Sequence, residues 1–403
     1  MNRRLAVLFT VVLGAESPAY GADADLDNPL GIELTLGARE LFDDNLYRLP
    51  ESIDPQSSRE DYIRRVSAGL DGNWQWSRQK VLLNLLATNS AYERNDRLDN
   101  TSGRGRAEWE WRAGNAWSGA LGGDFNRTLA SFSNTRFLGK DLLDSTGTFA
   151  SLGFRLGPSW SLKAAGRRAS TEHGASERRF DNFHTDSLTA GLRFKTSSES
   201  EIGLDVRRTE GRFDRALNLA GQLFDRDYED ESVSLEVNQI YSPRTRLQLS
   251  VGYLSREYGD VALADVGKGS FSGAIGDLLL EWQASNKIAL SLNGWRRLRA
   301  YLDAESDYFV SEGVSVAPTW EPGEKLSVAL ELGYESQRYL GASVNLLSSA
   351  RADRVRTGKL QIGYSPLRKL RFDLTGSIEE RESDRVLLEY DSQVASVGVR
   401  WTY

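Results

Sequence analysis

The feature of this sequence that most constrains its fold is an alternation of apolar and polar residues that recurs along almost the whole chain. In RAEWEWRAG (106–114), both tryptophans fall on one side of the alternation, and the arginines and glutamates fall on the other. The segments TRLQLSVGYLSR (245–256), KLSVALELGYESQ (325–337) and LRFDLTGSIEER (370–381) follow the same rule. Because an extended strand directs successive side chains to opposite faces, this period of two predicts strands with one apolar and one polar face.

Two kinds of connection alternate between these strands. Short connections recur about every 40 residues, and they lie near Arg78, Asn115, Pro158, Ser198, Pro243, Ser285, Pro322 and Pro366. Long polar stretches lie between them, at 43–59, 93–102, 127–145, 171–182, 212–227, 257–269, 303–307, 340–353 and 382–387. The eight short connections join sixteen strands into hairpins. A further strand at each end of the chain, 30–42 and 388–403, brings the predicted number to eighteen.

The length of the strands decides between two architectures that such a repeat could build. A propeller blade needs four strands of five or six residues in each repeat, whereas each repeat here holds two strands of roughly ten residues. Those are the dimensions of a tilted membrane strand, and short turns alternating with long loops are typical of outer-membrane barrels. We predict an all-β, transmembrane, antiparallel up-and-down barrel of about 18 strands, with 16 as the alternative. Its short turns would be periplasmic and its long loops extracellular.

An even number of strands has two consequences for this barrel. It places both termini on the same side of the membrane, which we expect to be the periplasmic side. It also lets the first strand pair with the last, which removes the unpaired strand edges that lipid cannot hydrate.

Composition excludes several other classes of protein. The mean hydropathy of −0.46 and the lack of apolar runs of roughly 20 residues exclude a bundle of membrane helices. The chain has no cysteine, so it predicts no disulfide, lipoprotein anchor or cysteine-bound metal. Its net charge is −7 and its basic residues are dispersed, which argues against a nucleic-acid partner.

The sequence carries no recognisable catalytic motif, and we predict no enzyme activity, cofactor or metal site. Its two histidines, His173 and His184, lie in or near one predicted loop. Ser170, Asp181 and Asp186 are close to them in the sequence, which leaves an extracellular hydrolase site as an alternative. We expect a solvated loop instead.

The N-terminus has the layout of a secretory signal peptide. A basic start, MNRR (1–4), is followed by an apolar core at 5–14 and by small residues around 19–24. The core is too short to span a bilayer as a helix. We therefore divide the chain into a signal peptide at 1–21, with cleavage between 21 and 24, a short periplasmic segment at 22–29, and the barrel at 30–403.

Tryptophans collect near the short turns and the C-terminus, where they predict an aromatic girdle at one membrane interface. An indole has an apolar body and a polar N–H, so it favours the boundary between headgroups and acyl chains. The predicted girdle consists of Trp74, Trp76, Trp109, Trp111, Trp117, Trp160, Trp282, Trp320, Trp401 and Tyr403. The terminal aromatic residue also looks like the signal that such barrels present to their assembly machinery, which is a predicted partner together with outer-membrane lipid.

The polar face of the strands would line a wet lumen, because a barrel of 16–18 strands encloses an aqueous channel. Charges of both signs are predicted along it, for example at Arg104, Arg106, Glu108, Glu110 and Arg112. These charges either contact a solute or only brace and solvate the wall.

One stretch of the predicted lumen combines an aromatic ring with hydrogen-bond donors. Asn293, Trp295, Arg297, Arg299 and Tyr301 alternate with apolar residues, and Trp295 lies far from the short turns. Sugar rings stack on aromatic faces and accept hydrogen bonds, so these residues are candidate saccharide contacts. The alternative is that Trp295 packs against a loop folded into the lumen.

The long stretch 127–145 carries more apolar residues than a surface loop requires, among them Phe132, Phe137 and Leu138. We expect this loop to fold into the lumen and to form a constriction there.

The N-terminal strand runs into GARELFDDNLYRLP (37–50), and eighteen amphipathic strands with tryptophan-rich short turns follow. This combination resembles the EpsL-type outer-membrane β-barrels, a porin family of exopolysaccharide gene clusters in Gram-negative bacteria. The resemblance implies a conduit that exports an exopolysaccharide strand across the outer membrane, with a periplasmic polysaccharide co-export protein as partner. A general or oligosaccharide-uptake porin is the alternative function.

Overall fold

The computed structural model describes residues 31–403 except 56, 136, 197–199, 215–216, 220–221, 225, 259–269, 304–305 and 341–350. Its strands are β1 (Ile32–Asp43), β2 (Asp61–Trp76), β3 (Gln79–Tyr92), β4 (Asn100–Ala113), β5 (Trp117–Leu129), β6 (Leu142–Arg155), β7 (Trp160–His173), β8 (Phe183–Lys195), β9 (Glu201–Phe213), β10 (Leu217–Leu219), β11 (Gln222–Phe224), β12 (Tyr228–Ser242), β13 (Thr245–Tyr258), β14 (Phe271–Gln283), β15 (Ile288–Asp303), β16 (Ser306–Trp320), β17 (Leu326–Leu340), β18 (Ala352–Leu367), β19 (Leu370–Ser383) and β20 (Tyr390–Thr402). Short 3₁₀ turns occur at Asp96–Leu98, Phe132–Asn134, Ser176–Asp181 and Val386–Leu388. No helix among the described residues is long and apolar enough to span a bilayer. The predicted signal peptide and the segment 22–29 lie outside these residues.

Eighteen of the strands form one closed antiparallel sheet. Each strand pairs with its neighbour in the chain, and β1 pairs with β20 from Thr35 opposite Thr402 to Asp43 opposite Val394. The predicted barrel of 18 strands is therefore confirmed, and the alternative of 16 strands is wrong. β9 pairs directly with β12, so β10 and β11 form a separate hairpin in the connection between them. This hairpin was not predicted, because 212–227 has the composition of a polar loop.

The strands extend further at their loop ends than the hydrophobic alternation predicts. β5 continues to Leu129 and β6 begins at Leu142, so the connection predicted at 127–145 is only 130–141. The outward-facing Arg127 and Asp144 lie opposite each other in this extension and form a bidentate ion pair. Charged pairs of this kind continue the sheet beyond the apolar band, where a pattern based on hydrophobicity no longer detects a strand.

The two faces of the sheet have the polarity expected of a membrane barrel. Outward positions carry large exposed apolar side chains, such as Leu188, Leu235 and Val251, which is 50% exposed. The neighbouring inward positions are polar: Ser234 and Ser250 both donate hydrogen bonds to the Glu236 carboxylate. A continuous exposed apolar band of this size is stable only against lipid.

The apolar core of the molecule lies at the loop end of the barrel. The connection from β1 to β2 places Leu46, Tyr47 and Leu49 in a buried cluster, together with Leu98 and Phe132 from two other connections. The rings of Tyr47 and Phe132 meet edge to face with centroids 4.9 Å apart. The segment predicted from FDDNLYR as a loop is thus an ordered part of this core.

Buried polar groups hold the same region together. Asp61 is fully buried, and its carboxylate accepts hydrogen bonds from the backbone N–H groups of Glu93, Arg94 and Asn95. The Tyr47 hydroxyl donates to the Asn95 side chain at 2.8 Å. These bonds fix the connection after β3 against the one before β2, because a buried carboxylate without such donors would cost several kcal/mol.

The connection 130–141 is fixed at both its stem and its tip. At the stem, buried Asp141 accepts hydrogen bonds from His173 Nδ1 at 2.7 Å and from the Ala175 N–H at 3.0 Å. At the tip, the Ser133 carbonyl accepts a hydrogen bond from Arg381, which faces inward on β19 and is 2% exposed. Because β19 is not a neighbour of β5 or β6 in the sheet, this connection reaches across the inside of the barrel.

The assignment of inner and outer faces predicts opposite effects for substitutions at two adjacent positions. Val251→Lys should destabilise the barrel in a bilayer by about 2–4 kcal/mol, because it directs a charge into lipid near the middle of a strand. Ser250→Lys directs the same charge into the lumen and should cost much less. Unfolding by urea in lipid vesicles measures both, and equal destabilisation would contradict the assignment.

The Asp141 contacts predict an acid-sensitive loop stem. Burial alone would raise the pKa of Asp141, but hydrogen bonds from His173 and the Ala175 N–H outweigh it and hold that pKa below its ordinary value near 3.8. A lowered pKa contributes stability above the ordinary value, and this contribution is lost as the pH falls through the lowered one. The protection factors of amides in 130–141, which correct for the slower intrinsic exchange in acid, should therefore fall at acid pH in the native chain. In Asp141→Asn the stem should exchange faster already at neutral pH.

Candidate functional site

The inner wall on β4 is a ladder of charged side chains. Arg104, Arg106, Glu108, Glu110 and Arg112 occupy its alternate, inward positions, opposite to the outward Trp109 and Trp111 of the same strand. Arg106 Nη2 lies 2.7 Å from Glu108, and the Arg106 guanidinium stands 4.6 Å above the ring of Phe149 on β6. The predicted charged wall is therefore present, and an aromatic ring that was not predicted belongs to it.

Several large inward side chains lie flat along the wall over glycines of a neighbouring strand. A Cβ atom at Gly122 would crowd Phe149, and one at Gly147 would overlap the Arg167 guanidinium. Phe149 is directly opposite Gly122 in the sheet. The sequence signal that could have revealed this ring is an aromatic residue on the polar face of a strand paired with a glycine.

Ion pairs hold most of the charged groups on this side of the lumen. Arg167 donates to both oxygens of Asp124, at 2.8 and 2.9 Å. Arg193 likewise donates to both oxygens of Asp205, at 2.5 and 2.6 Å. Paired guanidinium and carboxylate groups of this kind brace the wall and leave less charge free to act on a solute.

Trp295 also lies against the wall. A Cβ atom at Gly313, its partner on β16, would overlap the indole ring. Its Nε1–H donates to the Ser311 hydroxyl at 3.0 Å, and that hydroxyl donates to Glu335 at 2.7 Å. The half-buried indole ring is thus held flat against β15 and β16.

The other predicted saccharide contacts lie near this indole, and they differ in how firmly they are held. Arg297 is bonded to Asp277 on β14, and Asn293 Nδ2 lies 3.4 Å from the Ser315 hydroxyl. Arg299 follows on the same inward face of β15. The side chain of Tyr301 lies outside the described part of the chain. The structure therefore groups Asn293, Trp295, Arg297 and Arg299 on one stretch of wall.

Two of the three predicted apolar residues of the connection 130–141 pack into the loop-end core. Phe132 is 6% exposed, and Leu138 packs against the same buried cluster. Phe137 is half-buried and lies over Gly139 in its own loop.

The predicted girdle residues all lie at the short-turn ends of their strands or at the C-terminus. Trp76 ends β2, Trp117 begins β5, Trp160 begins β7 and Trp320 ends β16. Most of the set is strongly exposed on the outer face, with Trp74 and Trp111 half-buried. Trp401 and Tyr403 stack obliquely 5.7 Å apart beside the closing seam.

The residues of the alternative hydrolase site form no hydrogen-bonded serine–histidine–aspartate relay among the described residues, although Ser170 lies directly opposite His184 in the sheet. His173 is buried against Asp141, whereas His184 lies 4.0 Å from Asp214. The Ser170 hydroxyl bonds to Thr146 at 2.8 Å. No group of acidic and histidine side chains suited to a metal ion occurs in the portion of the chain that the structure describes.

Comparison with solved structures gives the same fold at low sequence identity. OccK2 (OpdF) of Pseudomonas aeruginosa, in complex with glucuronate, is 11% identical with a TM-score of 0.50, over 92% of this chain and 98% of that one. OccK9 (OpdG) of the same organism is 13% identical with a TM-score of 0.49, over 92% and 98%. OccAB3 of Acinetobacter baumannii is 10% identical with a TM-score of 0.46, over 92% and 99%.

No curated protein matches this chain. The more specific resemblance to EpsL-type barrels is not confirmed by these comparisons, and none of them supports export of an exopolysaccharide. A family model described as "Putative beta-barrel porin 2" matches residues 171–403, more than half of the chain. The closed barrel with its polar inner wall agrees with that match, and the chain therefore belongs to the Putative beta-barrel porin 2 family of outer-membrane barrels.

Proposed function

We propose that this barrel is a passive uptake porin for small hydrophilic solutes, with its short turns and both termini in the periplasm. The observation that carries the proposal is the inner wall, where large polar and aromatic side chains lie flat over glycines of the neighbouring strand. Side chains that lie along the wall leave the centre of an 18-stranded barrel to water. A solute then crosses by diffusion, and the chain needs no catalytic group or cofactor.

Uptake of small solutes fits the loop end of the barrel better than export of a polymer strand. Tyr47 and Phe132 pack in a buried core there, and Arg381 fixes the tip of 130–141 across the inside. A polymer would have to displace these buried contacts, whereas a small solute can pass beside them. A structurally similar barrel, OccK2, is described in complex with glucuronate, a solute of this size.

Trp295 is the strongest candidate for a solute contact. Its indole is fixed by Ser311 and Gly313, so a sugar ring can stack on its free face without ordering a mobile side chain. Asn293 and Arg297 each lie two residues from Trp295 on the same face of β15, and they supply N–H donors for the hydroxyl groups of a sugar.

The connection 130–141 is proposed to set the size limit of the channel. Its tip reaches Arg381 on the far wall, and its stem is bonded to His173. A segment held at both ends narrows the lumen without closing it.

Liposome swelling with saccharides of increasing size tests the proposed porin activity. We expect rapid swelling in monosaccharides and a decline as the saccharide grows to a few sugar units. Absence of swelling with every solute, from protein that shows heat-modifiable migration of a folded barrel, would refute the proposal.

Trp295→Ala tests the proposed stacking surface. An aromatic contact of about 1 kcal/mol corresponds to roughly a fivefold change in affinity, so block of ion current by an oligosaccharide should weaken about fivefold. The matched control is Trp320→Ala, which removes an indole from the outer face at the short-turn end. If both substitutions weakened the oligosaccharide block equally, Trp295 would have no specific role in stacking the sugar.

Replacement of 131–139 by a short glycine–serine linker tests the proposed constriction. Single-channel conductance should increase by a clear factor, because the linker lacks Phe132 and the Ser133 carbonyl that Arg381 holds. An unchanged conductance in correctly folded channels would contradict a role for this loop in setting the size limit.

A further inference from the structure

The inner wall formed by β4–β9 carries guanidinium groups that no carboxylate neutralises. At mid-height, Glu108, Asp124 and Asp205 are each bonded to an arginine of this wall. Arg104 makes no ion pair or side-chain hydrogen bond with any described residue. The Arg207 side chain donates only to the Thr189 hydroxyl, at 3.0 Å, within the described chain.

The same half of the lumen is also basic nearer the short turns. Arg112 on β4 and Arg155 on β6 occupy inward positions and have no carboxylate within ion-pair distance among the described residues. Glu110, on β4, is an unpaired carboxylate there. Unpaired cations thus outnumber unpaired carboxylates on β4–β9, and we call this half the basic face.

The inner wall formed by β16–β19 has the opposite surplus. Three inward carboxylates there accept hydrogen bonds from uncharged groups or from none, and form no ion pair with the described residues: Glu331, Glu335 and Glu379. One inward cation of this wall, Lys359, is likewise without an ion pair, and it lies directly opposite Glu331 in the sheet. Unpaired carboxylates therefore outnumber unpaired cations, and we call this wall the acidic face.

The order of strands sets the two faces against each other. β4–β9 and β16–β19 lie on opposite sides of the closed sheet, because four strands separate them in each direction: β12–β15 one way, and β20 with β1–β3 the other. A water-filled passage between walls of low dielectric concentrates the field between unlike charges. Solutes in the lumen therefore experience a field directed across the channel as well as along it.

We propose that the lumen selects small zwitterionic solutes by orienting them across the channel, with their anionic group toward Arg104 and Arg207 and their cationic group toward Glu331 and Glu335. The proposal rests on the porin function proposed above and adds the chemistry of a favoured solute. A solute with separated charges of both signs satisfies both faces at once. A neutral molecule of the same size gains nothing from the field, and a simple ion is attracted by one face and repelled by the other.

Ion selectivity provides the first test, because the two faces offset each other in the native channel. Reversal potentials in a potassium chloride gradient should give a permeability ratio within about twofold of unity for the native barrel. Arg104→Gln with Arg207→Gln should shift this ratio toward potassium by at least about threefold. Glu331→Gln with Glu335→Gln should shift it by a similar factor toward chloride, and combining all four should restore the native value. The shifts should shrink at high salt, where the field is screened.

The control variant is Arg168→Gln with Arg208→Gln, which removes two exposed guanidiniums from the outer face of β7 and β9, within the same half of the barrel. Its ion selectivity should equal that of the native barrel. Arg104→Lys with Arg207→Lys retains the charge and should also retain native selectivity, which separates a charge effect from misfolding. Shifts of the two lumenal variants in the same direction, or no shift in either, would overturn the proposal.

Liposome swelling with glycine and with glycolamide, a neutral molecule of similar size, tests the preference itself. The native barrel should admit the zwitterion at least about twofold faster, and either lumenal double variant should lose this difference. Equal rates in the native barrel would overturn the zwitterion preference while leaving the porin function intact. A native barrel that admits neither solute would instead refute the porin function.

Discussion

The hydrogen bonds that join β1 to β20 are the interaction on which the rest of this structure depends. Leu34 and Tyr403 exchange backbone bonds at 3.0 and 2.8 Å, and the pairing continues to Asp43. In lipid, an unpaired N–H or C=O group costs several kcal/mol. A single open seam would leave a whole row of these backbone groups unpaired. Closure is therefore what allows the apolar outer band to meet lipid and the polar inner face to meet water.

Closure of so many strands creates a lumen that must be kept both open and rigid. Glycines on the inner face meet these two requirements together, because they let Phe149, Arg167 and Trp295 lie along the wall instead of projecting from it. Ion pairs such as Arg167 with Asp124 then fix the flattened side chains in place. The groups without an ion pair, among them Arg104 and Glu331, are the ones that we propose to act on a passing solute.

The loop end is stabilised differently from the membrane-spanning part. A barrel wall has no interior core of its own, so the compact apolar cluster around Tyr47 and Phe132 forms where three connections fold inward. Asp61 and Asp141 are buried there and receive hydrogen bonds from the chain around them. This small core fixes loops that would otherwise be mobile.

The sequence by itself determined the strands, their two faces, their number and the tryptophan-rich end, because a period of two and the spacing of turns are local properties of a chain. It also placed Arg104 to Arg112 and Trp295 on the inner face. Only the tertiary structure decided that Phe149 lies over Gly122, that Ser133 meets Arg381 across the lumen, and that two opposite sides of the wall differ in charge. The first contact depends on the register of the neighbouring strands β5 and β6. The other two features join residues far apart in the sequence, and they exist because closure of the sheet fixes which strands face one another.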